Sequence, residues 1–195
     1  MTVRIITICT GNICRSPYAH LLLAHRLQQV RPGAFEVSSA GVYALIGEGV
    51  DPGSAVHLDR HGIAHDDFAA RQLTEPILSD VDLLLAMSSE HRKHVLEMYA
   101  PSMLKRAYTL KEMARLIESA GEATPWTERL AGLKTPEERW RAIPVHLAAE
   151  RRRVRLDPAL DDLADPYRRP QEVFDTMAAE VEAAVETIVG LEAAF

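Results

Sequence analysis

Residues 3–17 read VRIITICTGNICRSP and decide the fold of the chain. The stretch begins as an apolar, β-branched run, continues through a loop that starts at Cys9, and reaches Arg15 just before an amphipathic segment over residues 18–30. This pattern predicts a strand, a loop and the N-terminus of a helix. A helix N-terminus carries unpaired N–H groups and a partial positive charge, so a loop that curls into one is suited to bind an anion.

Cys9 and Arg15 are placed to act on one anion. Five residues separate them, which is enough for the loop N–H groups to surround a phosphate while the Arg15 guanidinium binds two of its oxygens. The same positive surroundings favour the thiolate form of Cys9, which is the nucleophilic form. A cysteine after an apolar strand is often only a small buried hydrophobe, but the Cys-x5-Arg-Ser-Pro spacing at a strand-to-helix junction favours a phosphate site.

Composition limits the class of protein. The 195 residues, 47% hydrophobic and 26% charged, suit a single globular domain over residues 1–195. The net charge of −6 argues against a nucleic-acid partner, and no apolar run approaches the roughly 20 residues of a membrane span. Both cysteines lie in the loop and no secretory signal precedes it, so we expect a cytoplasmic protein.

Strands and helices alternate along the first half of the chain. Further strands are predicted at residues 35–39, 81–87 and 107–110, which indicates an α/β fold: a doubly wound, four-stranded parallel sheet with helices on both faces. Such sheets bind ligands beyond the carboxyl ends of their strands, where Cys9 lies. Residues 117–160 predict a helical insertion in which Pro144 should break or kink a helix. A last loop and a C-terminal helix at about 171–191 follow.

Hydrolysis of a phosphate ester also requires an acid to protonate the leaving oxygen and a base to activate water. The candidate is Asp165, which is followed by Pro166 and Tyr167. Asp161 and Asp162 lie close by and could serve on chemical grounds alone.

The quoted motifs resemble those of the low-molecular-weight protein tyrosine phosphatases. The resemblance rests on CTGNICRSP at residues 9–17, SSAG at 38–41, ARQ at 70–72 and DPYR at 165–168, and it covers residues 3–98 and 165–191. The stretch SAGVYALIGEGVDP is most similar to bacterial members associated with exopolysaccharide synthesis. In those members a leucine replaces an aromatic residue in the wall of the site, and Leu45 takes that place here.

The resemblance implies a mechanism and a set of site residues. Cys9 would attack the phosphorus of phosphotyrosine to give a phosphocysteine intermediate, Arg15 would hold the phosphoryl oxygens, and Asp165 would act as general acid and then as base. Ser39 would support the loop. Residues expected to contact or shape the bound substrate are Thr10, Gly11, Asn12, Ile13, Cys14, Ser16, Leu45 and Tyr167. Neither a metal nor another cofactor is required.

The resemblance also indicates a substrate class. A phosphotyrosine protein, such as an autophosphorylating tyrosine kinase, is the implied partner, and the oligomeric state is left open. Related arginine phosphatases carry threonine at the position of Ile13, where a bulky apolar residue favours a tyrosine ring.

Three positions leave questions open. Phe68 stands where many family members have a histidine, so we expect Asn12 to lose one hydrogen-bond support. Ser88 stands at a place that is often acidic. Cys14 either packs in the loop or traps oxidised Cys9 as a reversible disulfide.

Two other functions compete with the phosphatase. An arsenate reductase has the same fold but needs cysteines outside the loop, and the sequence has none. A non-catalytic phosphotyrosine-binding regulator would not need Cys9, Arg15 and Asp165 together.

Overall fold

A four-stranded parallel sheet forms the centre of the computed structural model, which describes residues 2–99 and 103–195. The strands are β1 (Val3–Cys9), β2 (Phe35–Gly41), β3 (Leu83–Ala86) and β4 (Ala107–Thr109). They lie in the order β2-β1-β3-β4, and each neighbouring pair is parallel. The predicted doubly wound α/β fold is therefore confirmed.

Helices cover both faces of the sheet because the strand side chains alternate between two apolar layers. In the described residues the helices are α1 (Arg15–Val30), α2 (Pro52–Arg60), α3 (Glu75–Ser79), α4 (Ser89–Tyr99), α5 (Leu110–Ala123), α6 (Trp126–Arg129), α7 (Pro136–Arg153), α8 (Pro158–Asp161) and α9 (Gln171–Ala193). Ile5 and Leu85 face the larger layer, which includes α1, α5 and α9, whereas Ile6 and Leu84 face the layer formed with α3 and α4. Within the described residues, none of these helices is long and apolar enough to cross a bilayer.

The carboxyl ends of β1 and β2 lie side by side, with Cys9 paired to Gly41. A Cβ atom added at Gly41 would lie 2.4 Å from the carbonyl oxygen of Thr10. Only glycine lets β2 end this close to the loop that follows Cys9.

Helix α7 packs at the opposite end of the sheet, where the strands begin. Near its start, the ring of Trp140 packs edge-on against Phe35 with the ring centroids 5.2 Å apart. Near its end, Arg151 donates to the carbonyl oxygen of Ala107 at 2.7 Å. Much of the predicted helical insertion therefore packs away from Cys9.

Pro144 lies inside α7, which continues through it as one helix. Of the two expected effects of Pro144, the break is wrong, and a kink stays a prediction. Ile143 and Leu147 are both buried in the core on either side of the proline, and this packing offsets the hydrogen bond that a proline nitrogen cannot donate.

A buried carboxylate joins α7 to α9. Glu192 accepts hydrogen bonds from the indole of Trp140 at 2.9 Å, from Arg31 at 3.0 Å, and from the guanidinium of Arg139. Such a buried charge is tolerated only while its partners are present, so these contacts fix the position of α7.

Trp140→Ala should lower the free energy of unfolding by about 3–5 kcal/mol, because it leaves a cavity against Phe35 and removes one donor to Glu192. Urea denaturation measures this loss. Val145→Ala on the same helix is the control, because Val145 is 73% exposed and its truncation should change stability by no more than about 0.5 kcal/mol. Equal losses in the two variants would contradict the buried role of Trp140.

Candidate active site

The loop between β1 and α1 surrounds the side chain of Cys9, a residue that is only 3% exposed. The backbone N–H of Asn12 donates to Cys9 Sγ at 3.3 Å, and Ser16 Oγ lies 2.9 Å from the same sulfur. Because Ser16 Oγ accepts a hydrogen bond from the Asn12 amide, its own proton is free to point at the sulfur. Two donors therefore stabilise negative charge on Cys9.

The side chain of Asn12 holds this loop together from behind. Its Nδ2 donates to Ser16 Oγ at 2.9 Å and to Ser39 Oγ at 3.0 Å, and its Oδ1 accepts from the backbone N–H of Arg71 at 3.0 Å. Both amide protons and the oxygen therefore have partners. The oxygen accepts one bond and can accept two, so the expected loss of one support through Phe68 stays a prediction. Asn12 itself has φ 57°, a left-handed conformation that turns the loop sharply.

Most of the predicted site residues line one cavity of about 170 Å³. It is lined by Cys9, Thr10, Gly11, Ile13, Cys14, Arg15, Tyr43, Leu45, Asp165 and Tyr167. Of the other predicted residues, Asn12 and Ser16 are buried behind the loop, and Ser39 lies behind Asn12. Tyr43 was not predicted as a site residue, although its position two residues before Leu45 could have indicated that it also lines the cavity.

Arg15 and Asp165 form an ion pair at the mouth of this cavity. Arg15 Nη2 lies 3.1 Å from Asp165 Oδ1. The arginine side chain is only 8% exposed, whereas the aspartate is 60% exposed. The backbone N–H of Tyr167 also donates to Asp165 Oδ1 at 3.3 Å, which fixes the turn. The deep guanidinium and the outer carboxylate thus face the same space.

The two neighbouring aspartates serve the scaffold instead. Asp161 is buried and accepts from Arg115 at 2.7 Å, and Asp162 accepts from the backbone N–H of Ser89 at 2.6 Å. Neither of them lines the cavity, so Asp165 is the one of the three that faces Cys9 and Arg15.

His91 is a further polar residue at the site that the sequence did not single out. Its Nε2 lies 2.8 Å from Thr10 Oγ1, and its Nδ1 lies 2.8 Å from Ser88 Oγ. Burial and the nearby Arg15 lower the pKa of His91 to about 4, so the ring is neutral at neutral pH. Ser88 therefore orients a neutral imidazole against the loop. The Ser-x-x-His spacing directly after β3 could have indicated this residue from the sequence.

Cys14 lies in the wall of the same cavity and is a free thiol, as is Cys9. Burial and the carboxylate of Asp51 raise the pKa of the Cys14 thiol, which keeps it protonated. The packing role and the redox role of Cys14 both remain as predictions.

Asn12→Ala and Asn12→Gly should each weaken phosphate binding about tenfold, because each removes the hydrogen bonds that shape the loop. The alanine variant should also be the less stable of the two, by about 1 kcal/mol, because a Cβ atom disfavours the left-handed conformation. Calorimetric titration with phosphate and urea denaturation measure the two effects. Gln28→Ala, on the exposed face of α1, is the control, and unchanged phosphate affinity in both Asn12 variants would contradict the role of this side chain.

Comparison with known proteins agrees with this geometry. The family described as "Low molecular weight phosphotyrosine protein phosphatase" matches residues 4–123. The low molecular weight protein-tyrosine-phosphatase Etp of Escherichia coli K12 is 42% identical over 87 residues, which are 45% of this chain and 55% of Etp. The probable phosphatase EpsP of Ralstonia nicotianae is 34% identical over 134 residues, which are 69% of this chain and 86% of EpsP.

Solved structures extend the likeness over nearly the whole chain. The tyrosine phosphatase amsI of Erwinia amylovora superposes with a TM-score of 0.66 at 23% identity, covering 97% of this chain and 93% of amsI, which shows the shared fold. The YwlE arginine phosphatase of Geobacillus stearothermophilus gives a TM-score of 0.64 at 26% identity, with 96% and 91% of the two chains covered.

The matched region contains the loop from Cys9 to Pro17, which surrounds the cavity, and it spans more than half of the 195 residues. The chain therefore belongs to the low molecular weight phosphotyrosine protein phosphatase family.

Proposed function

We propose that this chain is a protein-tyrosine phosphatase that hydrolyses phosphotyrosine through a phosphocysteine intermediate. The observation that carries the proposal is the single cavity that Cys9, Arg15 and Asp165 line together, with Arg15 and Asp165 3.1 Å apart. It combines a nucleophile, an anion-binding group and a proton donor, which are the three parts that the reaction needs. Since the chain spans only 55% of Etp, the activity is inferred from this site and from family membership together.

In the first step, the Cys9 thiolate attacks phosphorus. The S–P bond forms while the ester P–O bond breaks. Asp165, which takes up a proton from solvent once the phosphoryl group has replaced it beside Arg15, gives that proton to the departing tyrosine oxygen. The phosphoryl group replaces Asp165 as the partner of Arg15, which frees the carboxyl group to face the leaving oxygen. Arg15 and the loop N–H groups bind the equatorial oxygens, where charge is spread in the transition state.

In the second step, water attacks the phosphocysteine. Asp165, now a carboxylate, accepts a proton from this water, and the S–P bond breaks to release phosphate and the Cys9 thiolate. The N–H of Asn12 and the O–H of Ser16 already point at the sulfur, so they stabilise the leaving thiolate in place.

The shape of the cavity supports an aromatic substrate. Its lining includes Ile13, Tyr43, Leu45 and Tyr167, which offer apolar and aromatic surface to a phenyl ring. The sulfur at the bottom is almost fully buried, and a long phosphotyrosine side chain reaches it more readily than phosphoserine does. Phenolate is also the easier leaving group.

The competing functions are less well supported. An arsenate reductase needs further cysteines, and both cysteines of this chain lie in the loop. A regulator that only binds phosphotyrosine has no use for Asp165 beside Arg15. The implied partner is a phosphotyrosine protein, with an autophosphorylating tyrosine kinase as the first candidate. A cytoplasmic location suits the two free thiols, because a catalytic thiolate needs a reducing compartment.

Cys9→Ser should abolish hydrolysis of p-nitrophenyl phosphate and of a phosphotyrosine peptide, because the phosphocysteine can no longer form. Asp165→Asn should lower kcat for the peptide by about 10²–10⁴-fold, because the leaving oxygen loses its proton donor. Steady-state kinetics on both substrates measure these changes.

Asp66→Asn is the matched control for the carboxylate, since Asp66 is exposed and does not line the cavity; it should leave kcat unchanged. Undiminished hydrolysis by Cys9→Ser would end the phosphatase proposal. Equal kcat in Asp165→Asn and the wild type would remove Asp165 from the mechanism.

Ile13→Thr should lower the preference for phosphotyrosine over phosphoarginine peptides. The change removes apolar surface from the wall of the cavity and introduces the residue that related arginine phosphatases carry there. The ratio of kcat/KM for the two peptides should fall by about 10–100-fold. A ratio that stays constant while both activities fall equally would show that Ile13 is only a packing residue.

A further inference from the structure

His20 reaches the reacting loop from behind. It lies on α1, four residues after Ser16, and its Nδ1 is 3.3 Å from Ser39 Oγ. Ser39 Oγ is in turn 3.0 Å from Asn12 Nδ2. A continuous chain of hydrogen bonds therefore runs from His20 through Ser39, Asn12 and Ser16 to the sulfur of Cys9.

The donors and acceptors in this chain are mutually compatible, because Asn12 Nδ2 donates in both directions, to Ser39 Oγ and to Ser16 Oγ. Because Ser39 Oγ accepts a proton from Asn12, its own hydroxyl proton is available for His20. The ring of His20 can accept it, since burial and the nearby Arg71 lower the pKa of His20 to about 4 and keep the ring neutral.

Phe68 packs beside this imidazole. The ring centroids of His20 and Phe68 are 6.4 Å apart, and both residues line a second cavity of about 420 Å³ behind the loop. The charged or titratable side chains in that cavity are His65, Asp66, Asp67 and Arg71. Phe68 occupies the position at which many members of the resembling family carry a histidine, so in this chain the imidazole beside Ser39 comes from His20 on α1.

We propose that His20 is a positioning residue that fixes the Ser39 hydroxyl, and through it Asn12 and the Cys9 loop, so that α1 supplies the imidazole missing at Phe68. The inference rests on the proposed function for its kinetic readout only. It is distinct from the roles of Cys9, Arg15 and Asp165, because His20 does not line the catalytic cavity and acts on the substrate only through Ser39 and Asn12.

A pair of variants of similar volume separates this role from simple packing. His20→Gln keeps an amide oxygen that can accept from Ser39, whereas His20→Leu fills the space without an acceptor. We expect His20→Leu to lower kcat for p-nitrophenyl phosphate about tenfold, as the loss of one ordering hydrogen bond implies. His20→Gln should stay within about threefold of the wild type. His25→Ala, a second histidine on α1 whose ring bonds Gln29, is the control and should leave kcat unchanged.

The rescue experiment is the sharper test. Phe68→His in the His20→Leu background should return kcat to within about threefold of the wild type, because it restores an imidazole on the other side of the same cavity. The rate of Cys9 alkylation by iodoacetate at pH 6, followed by mass spectrometry, should fall and recover in parallel with kcat. Thermal unfolding of each variant checks that it is folded.

The outcomes separate the two proposals. If the wild type alkylates at Cys9 but hydrolyses no aryl phosphate, the proposed function fails, while alkylation of the variants still tests His20. If the wild type hydrolyses the ester and His20→Leu matches it in kcat and alkylation, the role of His20 is overturned. A loss in His20→Leu that His20→Gln shares and that Phe68→His does not restore overturns it as well.

Discussion

The amide of Asn12 is the constraint on which the rest of the site depends. It is buried, uses both protons and its oxygen, and holds a left-handed backbone at the turn of the loop. Without those bonds, nothing would offset the cost of that conformation or keep the N–H of Asn12 directed at Cys9. The partners come from α1, β2 and the segment before α3, so the loop is correct only when these parts of the chain are assembled.

The two ends of the strands in the sheet have different roles, one in the chemistry and the other in stability. At the carboxyl ends of the strands a cavity is formed by the strand ends, the loop N–H groups and Asp165, as expected for a doubly wound sheet. At the amino ends of the strands, α7 reaches from Phe35 to Ala107 and is held in place by contacts of Trp140, Glu192 and Arg151. The packing of α7 at one end of the sheet is therefore separate from the cavity at the other end.

The sequence predicted the strands well because their signals are local. Alternating or fully apolar runs mark β1 and β3, and the end of β1 places Cys9 where a parallel sheet binds ligands. A break at Pro144 was wrongly expected because the intrinsic cost of proline in a helix is a local property, whereas its compensation by Ile143 and Leu147 is tertiary. The effect of Phe68 on Asn12 could not be settled from local sequence either, because the partners of Asn12 include Arg71 and Ser39, which only folding brings together.

By itself, the sequence determined the parallel α/β sheet, the anion-binding loop from Cys9 to Arg15 and the candidate acid Asp165. Each of these features is encoded by a short run of neighbouring residues. Only the tertiary structure decided that Asp165, and not Asp161 or Asp162, faces the cavity, and that His91 lies beside Thr10 and His20 beside Ser39. These choices depend on contacts between residues far apart in the chain. Their geometry is fixed by helix and strand packing, which no local pattern specifies.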